Sequence, residues 1–101
     1  MSLLGRYTQQ PGEKRKRGID YTRFLESGET LSTVTALVTP VTAPTLDVPS
    51  IVIGPDGKKF AYFIEGGLEP TTYLVEFTVT TSLGQILEDE IEMTIEEVTG
   101  G

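Results

Sequence analysis

The chain contains no cysteine, no histidine, no tryptophan and no asparagine. Without cysteine there is no disulfide to staple a small core and no thiolate to act as a nucleophile. With histidine missing as well, the usual ligands of zinc and copper are gone, and so is the commonest general base. Only hard cations held by oxygen remain compatible. No apolar run approaches the ~20 residues that span a bilayer. The apolar part of Met1-Ser2-Leu3-Leu4-Gly5-Arg6 is too short for a signal peptide, so secretion by that route is not expected.

Alternation of apolar and polar residues fills the gap. Residues 71–95 place Tyr73, Val75, Phe77 and Val79 on one face, with Thr72, Leu74, Glu76, Thr78 and Thr80 on the other. After Ser82-Leu83-Gly84, the return arm sets Leu87, Ile91, Met93 and Ile95 against Glu88, Glu90 and Glu92. Period-2 patterning of this length predicts a half-buried β-hairpin, with Gly84 supplying the left-handed turn residue. Its register pairs Tyr73 with Met93 and Val75 with Ile91. It also sets Asp89 beside Phe77 on the inner face, where only a bulge or an edge position would suit a carboxylate.

The rest of the chain adds shorter strands. Residues 30–39 are rich in Thr and Val, with Val34, Ala36 and Val38 in phase and Leu31 out of phase, which predicts a bulge near Ser32. Pro40, Pro44 and Pro49 make residues 40–50 a loop or an edge. Residues 48–53 and 59–64 flank the turn Gly54-Pro55-Asp56-Gly57 and form a second hairpin. Its two faces both read as apolar: Val52, Phe60, Tyr62 and Ile64 on one, Ile51, Ile53, Ala61 and Phe63 on the other. One face serves the core, and the second is either covered within the fold or offered to a partner. Tyr73, shortly after Pro70, stands where a tyrosine corner sits in an immunoglobulin-like sandwich. Asp20 is placed to cap a short helical turn anchored by Tyr21, Phe24 and Leu25.

Charge divides the chain. Residues 1–18 carry Arg6, Lys14, Arg15, Lys16 and Arg17 against Glu13 alone, whereas the remainder has three cations and fourteen acids. With Gly5, Pro11, Gly12 and Gly18 and no periodicity, residues 1–18 read as an extended basic arm. Residues 19–97 form the sandwich domain, and 98–101 a frayed tail. An acidic body repels a phosphate backbone, so the arm is expected to meet an acidic protein surface rather than nucleic acid. The acids Glu88, Asp89, Glu90 and Glu92 are the only group with catalytic character, and three of them lie along one strand face, the pattern of a solvated surface. No Gly-x-Ser-x-Gly, phosphate-cradling loop or triad histidine is present. Neither catalysis, a cofactor nor a bound metal is expected.

Two stretches carry a likeness to a known family. Gly18-Ile19-Asp20-Tyr21, Phe24-Leu25 and Gly28-Glu29-Thr30-Leu31-Ser32 form the first. Gly66-Gly67, Thr71-Thr72-Tyr73, Thr78-Val79-Thr80-Thr81-Ser82 and Gly84 form the second. In order and spacing these resemble small bacteriophage virion proteins known as fibre-tail adaptors, over roughly residues 10–97. The chain departs from that pattern at Ala36, where an aromatic is usual, and in its basic rather than acidic residues 14–17. The resemblance implies a small immunoglobulin-like β-sandwich; with the strands read above, the expected fold is all-β, an antiparallel sandwich of about seven strands with an extended N-terminal arm. It also implies a non-enzymatic virion component, present in several copies, that joins tail, connector and fibre proteins. A capsid decoration protein sharing the fold is the alternative reading, and a Ca²⁺- or carbohydrate-binding β module the third. The residues expected to meet a partner are Arg6, Lys14, Arg15, Lys16, Arg17, Ile51, Ile53 and Phe63. If the arm is separate, removing residues 1–17 should leave a folded domain that no longer assembles.

Overall fold

A computed structural model describes residues 2–97; the expected tail lies outside the described residues. Eight strands run in chain order: β1 (Ser2–Gln9), β2 (Lys14–Asp20), β3 (Leu31–Thr39), β4 (Leu46–Asp47), β5 (Ile51–Ile53), β6 (Lys59–Gly66), β7 (Thr71–Thr81) and β8 (Ile86–Ile95). One short 3-10 turn, Thr22–Phe24, interrupts them. The strands form two sheets packed as a sandwich. Sheet 1 has the order β1-β8-β7-β3; sheet 2 has β2-β6-β4, with β5 also paired to β6.

The β7–β8 hairpin takes the register that its alternation dictates. Tyr73 faces Met93, Val75 faces Ile91 and Phe77 faces Asp89, and Gly84 closes the turn with φ 83°. Every second residue of β7 from Tyr73 to Val79 is fully buried. From sheet 2, Phe60, Tyr62 and Ile64 reach across to them. The Phe77 ring lies 5.3 Å from Phe60 and 4.9 Å from Tyr62, so one aromatic cluster ties the sheets together at the centre of the core. The bulge foreseen in β3 is present as a register shift between Leu31 and Thr33.

Tyr73 fixes the corner between β6 and β7. The Leu68 N–H donates to its hydroxyl oxygen at 2.8 Å. The Tyr73 hydroxyl lies 2.5 Å from Thr42 Oγ1, whose own proton goes to the Pro44 carbonyl, so Tyr73 is the donor to Thr42. A single buried phenol thereby joins the corner to the proline-rich loop. The chain enters that corner through Gly66 and Gly67, at φ 78° and 97°. A Cβ on Gly66 would stand 2.7 Å from the Thr45 carbonyl oxygen, and one on Gly67 2.7 Å from Ile95, so both positions require glycine.

Asp89 escapes conflict with the core by a partner from outside its sheet. The Tyr21 hydroxyl donates to its carboxylate at 2.7 Å, and the Tyr21 ring stacks on Phe60. Burial first, and then this bond, push the Tyr21 hydroxyl well above the ordinary phenol range. Tyr21 is thus the anchor of its segment. Leu25 is half-buried, but Phe24 is 64% exposed and anchors nothing. Asp20 accepts the Thr22 N–H at 2.8 Å and so shapes the entry to the turn, but the expected cap is corrected: Tyr21 holds the N-cap position and no side chain caps the turn.

The arm reading of residues 1–18 is corrected here. Residues 2–9 are β1, which pairs in parallel with β8 from Ser2↔Asp89 to Gln9↔Ile95. Residues 14–20 are β2, antiparallel to β6. Hydrogen bonding and packing explain the difference. Gln9 is buried, and its amide donates to the Glu13 and Ile64 carbonyls, which fastens the crossing from one sheet to the other. The Arg17 guanidinium stacks at 3.9 Å over the Tyr7 ring and closes the seam between the sheets.

Candidate interaction surfaces

Glu29 joins the loop before β3 to the β7–β8 turn. Its side chain is fully buried and accepts from the Glu26 N–H, the Thr81 hydroxyl and the Gln85 amide, while the Lys58 ammonium donates to its backbone carbonyl. The Thr81 hydroxyl bond, then the Glu26 N–H, outweigh burial and hold its carboxyl below the ordinary range. Every polar group there is matched within the chain, so this site is structural. A folded-state pKa below the unfolded one stabilises above the unfolded value and loses that contribution as pH falls through the folded one. Asp20, lowered by its bonds to Thr22, acts with the same sign. The urea midpoint should therefore drop steadily below about pH 4.3, the ordinary Glu value. The gap between the native chain and Glu29→Gln should shrink over the same window.

The outer faces of the two sheets differ in charge. On sheet 1, Glu76, Glu88, Glu90 and Glu92 lie on the side away from the core, and Arg6 pairs with Glu92 at 3.1 Å. On sheet 2, β2 and β6 direct Lys14, Lys16, Asp20, Lys59, Ala61, Phe63 and Glu65 outward, because the partners of the buried Phe60, Tyr62 and Ile64 face inward. Six of the eight cations of the chain, residues 14–17, 58 and 59, lie on or beside this second sheet, but on its outer face Asp20, Asp47 and Glu65 balance Lys14, Lys16 and Lys59, so the excess of cations is confined to the edge strand β2. Lys14 stands 5.2 Å above the Phe63 ring and 4.0 Å from Glu65.

Strand pairing shapes this face into a furrow. Gly18 faces Ala61, and Ala61 also faces Val52, so one row across three strands carries only small or short side chains. Lys16 and Phe63 wall it on one side, Asp20 and Lys59 on the other. The space is about 460 Å³, apolar along its floor and bordered by lysines.

The residues expected to meet a partner are only partly brought together. Lys14, Lys16 and Phe63 share the outer face of sheet 2. Arg15 pairs with Glu13 at 3.8 Å, Arg17 is committed to Tyr7, and Arg6 belongs to the other sheet. Ile51 and Ile53 are a correction as outer-face residues: they are half-buried and pack against the core, with Ile53 still lining the furrow, and Val52, 61% exposed, takes the outer face. The cause is register. Ile53 pairs with Phe60, one residue away from the phase expected, and a slip of one reverses every side chain. Val52 is missed for that reason, and the parity of the turn is the signal; Gly18 is missed because residues 1–18 read as an arm rather than a strand.

Fold and surfaces define an all-β interaction domain, two-sheeted, with one acidic outer face and, on the other sheet, a furrowed face of mixed charge edged by the cationic β2. The family to which such a domain belongs is also shown by its sequence. The chain belongs to the family of the podophage GP4 fiber-tail adaptor protein gp77, whose model matches residues 9–94, from the end of β1 almost to the end of β8. That family is a structural phage adaptor, which implies a component of the virion and contacts with tail and fibre proteins. No curated protein matches the chain.

Proposed function

We propose that the chain is a non-enzymatic joint of a podophage particle, present in several copies, which links a tail or connector protein to a fibre protein. The observation that carries this reading is the segregation of charge. A joint needs two separate surfaces that do not compete, and the acidic outer face of sheet 1 and the furrowed face of sheet 2 with its cationic edge strand β2 lie on opposite sides of one sandwich. An acidic face and a cationic edge favour different partners and disfavour the wrong one. We further read the sandwich as immunoglobulin-like. The parallel pairing of β1 with β8 and the return of the Tyr73 hydroxyl to the backbone five residues upstream support that reading.

Deleting the gene for this chain from the phage tests the role. Particles should retain heads and tails yet lack fibres in electron micrographs, and supplying the chain in trans should restore them. Fibres retained at full occupancy in the deletion would refute the proposal.

A further inference from the structure

We infer that the free edge of β2 accepts an extended acidic segment of a partner virion protein as an added strand. The inference rests on the adaptor reading above. Strand β2 ends the order of sheet 2, and among the described residues no strand pairs with its outer side. A strand edge is a row of backbone donors and acceptors already spaced for another chain. What distinguishes this edge is its charge. Four of the seven residues of β2 are cationic, whereas β3, an edge of sheet 1, has nine residues and no charge. Like charges placed opposite each other are destabilising, so β2 of a second copy is disfavoured beside it. An incoming strand with carboxylates meets the reverse situation. Among the described residues, Lys16, exposed on the outer face of this edge, has no carboxylate within 4.0 Å.

The furrow adds a second requirement. It opens onto this edge at Gly18, which is exposed and leaves the floor bare as far as Ala61 and Val52. A glycine in a strand marks a place where another group approaches closely, and a bulky side chain on the neighbouring strand covers it best. Same-face residues on a strand are two apart. The fitting segment therefore carries a large apolar side chain opposite Gly18 and a carboxylate two residues away, opposite Lys16.

Photo-crosslinking in assembled particles tests this. The full chain carrying Arg15→p-benzoylphenylalanine on β2 is compared with one carrying Thr35→p-benzoylphenylalanine on β3. Position 15 should cross-link to another virion protein, through a segment with excess Asp and Glu. Cross-links from position 15 to a second copy of this chain, or to a neutral or basic segment, would overturn the inference, as would cross-links from position 35 alone. Lys14→Glu with Lys16→Glu, both exposed, should leave the circular dichroism unchanged and reduce incorporation into particles about tenfold or more. Undiminished incorporation would also overturn it. A chain absent from particles in every form would instead remove the adaptor reading, and this inference with it.

Discussion

Removing residues 1–17 should unfold the domain rather than yield a folded unit that fails to assemble. The truncation takes all of β1 and the first four residues of β2. It leaves β8 and β6 as bare edges, one in each sheet. It also removes Tyr7, which packs against the core and receives Arg17, and the buried Gln9 amide that spans Glu13 and Ile64. Domains of this size hold only about 5–15 kcal/mol of net stability. Loss of two edge strands exceeds that reserve. The expected readout is loss of a cooperative thermal transition; a truncated chain that still melts sharply would show that the two strands are dispensable. The consequence for experiment is direct, since a truncation that abolishes assembly would report unfolding and say nothing about a basic surface.

Phe77→Ala should be the most damaging single core change. Phe77 has no exposed surface and is the one β7 ring in contact with both Phe60 and Tyr62. Truncating a buried Phe costs about 3–5 kcal/mol, from lost transfer energy and the cavity left between sheets that cannot fully collapse. The urea midpoint should fall accordingly at an unchanged slope. Phe24→Ala is the control: with 64% of its surface exposed, it should shift stability by no more than about 0.5 kcal/mol. Equal losses for the two would mean that the aromatic cluster is not where the sandwich is held.

The sequence was most legible where alternation ran long. Residues 71–95 keep one period through twenty-odd positions, so face, register and turn all follow from it; what accommodates Asp89 does not, since neither a bulge nor an edge but the Tyr21 hydroxyl from outside the sheet receives it. The three residues Ile51–Ile53 are apolar throughout and contain no alternation, so their phase was set by a turn whose length the sequence left open. Strands β1 and β2 were hidden for different reasons. The partner of β1 is more than eighty residues away, and no local pattern announces a pairing so distant. In β2 the run Lys-Arg-Lys-Arg conceals its period, because Arg17 faces inward against an aromatic ring while its neighbour Lys16 faces out. A long cationic side chain has an apolar stem, and composition alone reads it as solvent-facing. The surface was legible as to residue type at Lys14, Lys16 and Phe63. The furrow was not, since it is made by what Gly18 and Ala61 lack.

The parallel pairing of β1 with β8 also sets when the molecule becomes usable. Sheet 1 cannot complete its outer strand until residues 89–95 have been synthesised and are free of the ribosome. Contacts of such sequence separation require a long loop to close first, which slows folding and leaves edges uncovered meanwhile. During translation the nascent chain therefore carries strands without neighbours. Its outer faces take their final places only after β8 arrives, so docking onto other particle components follows the closing of sheet 1.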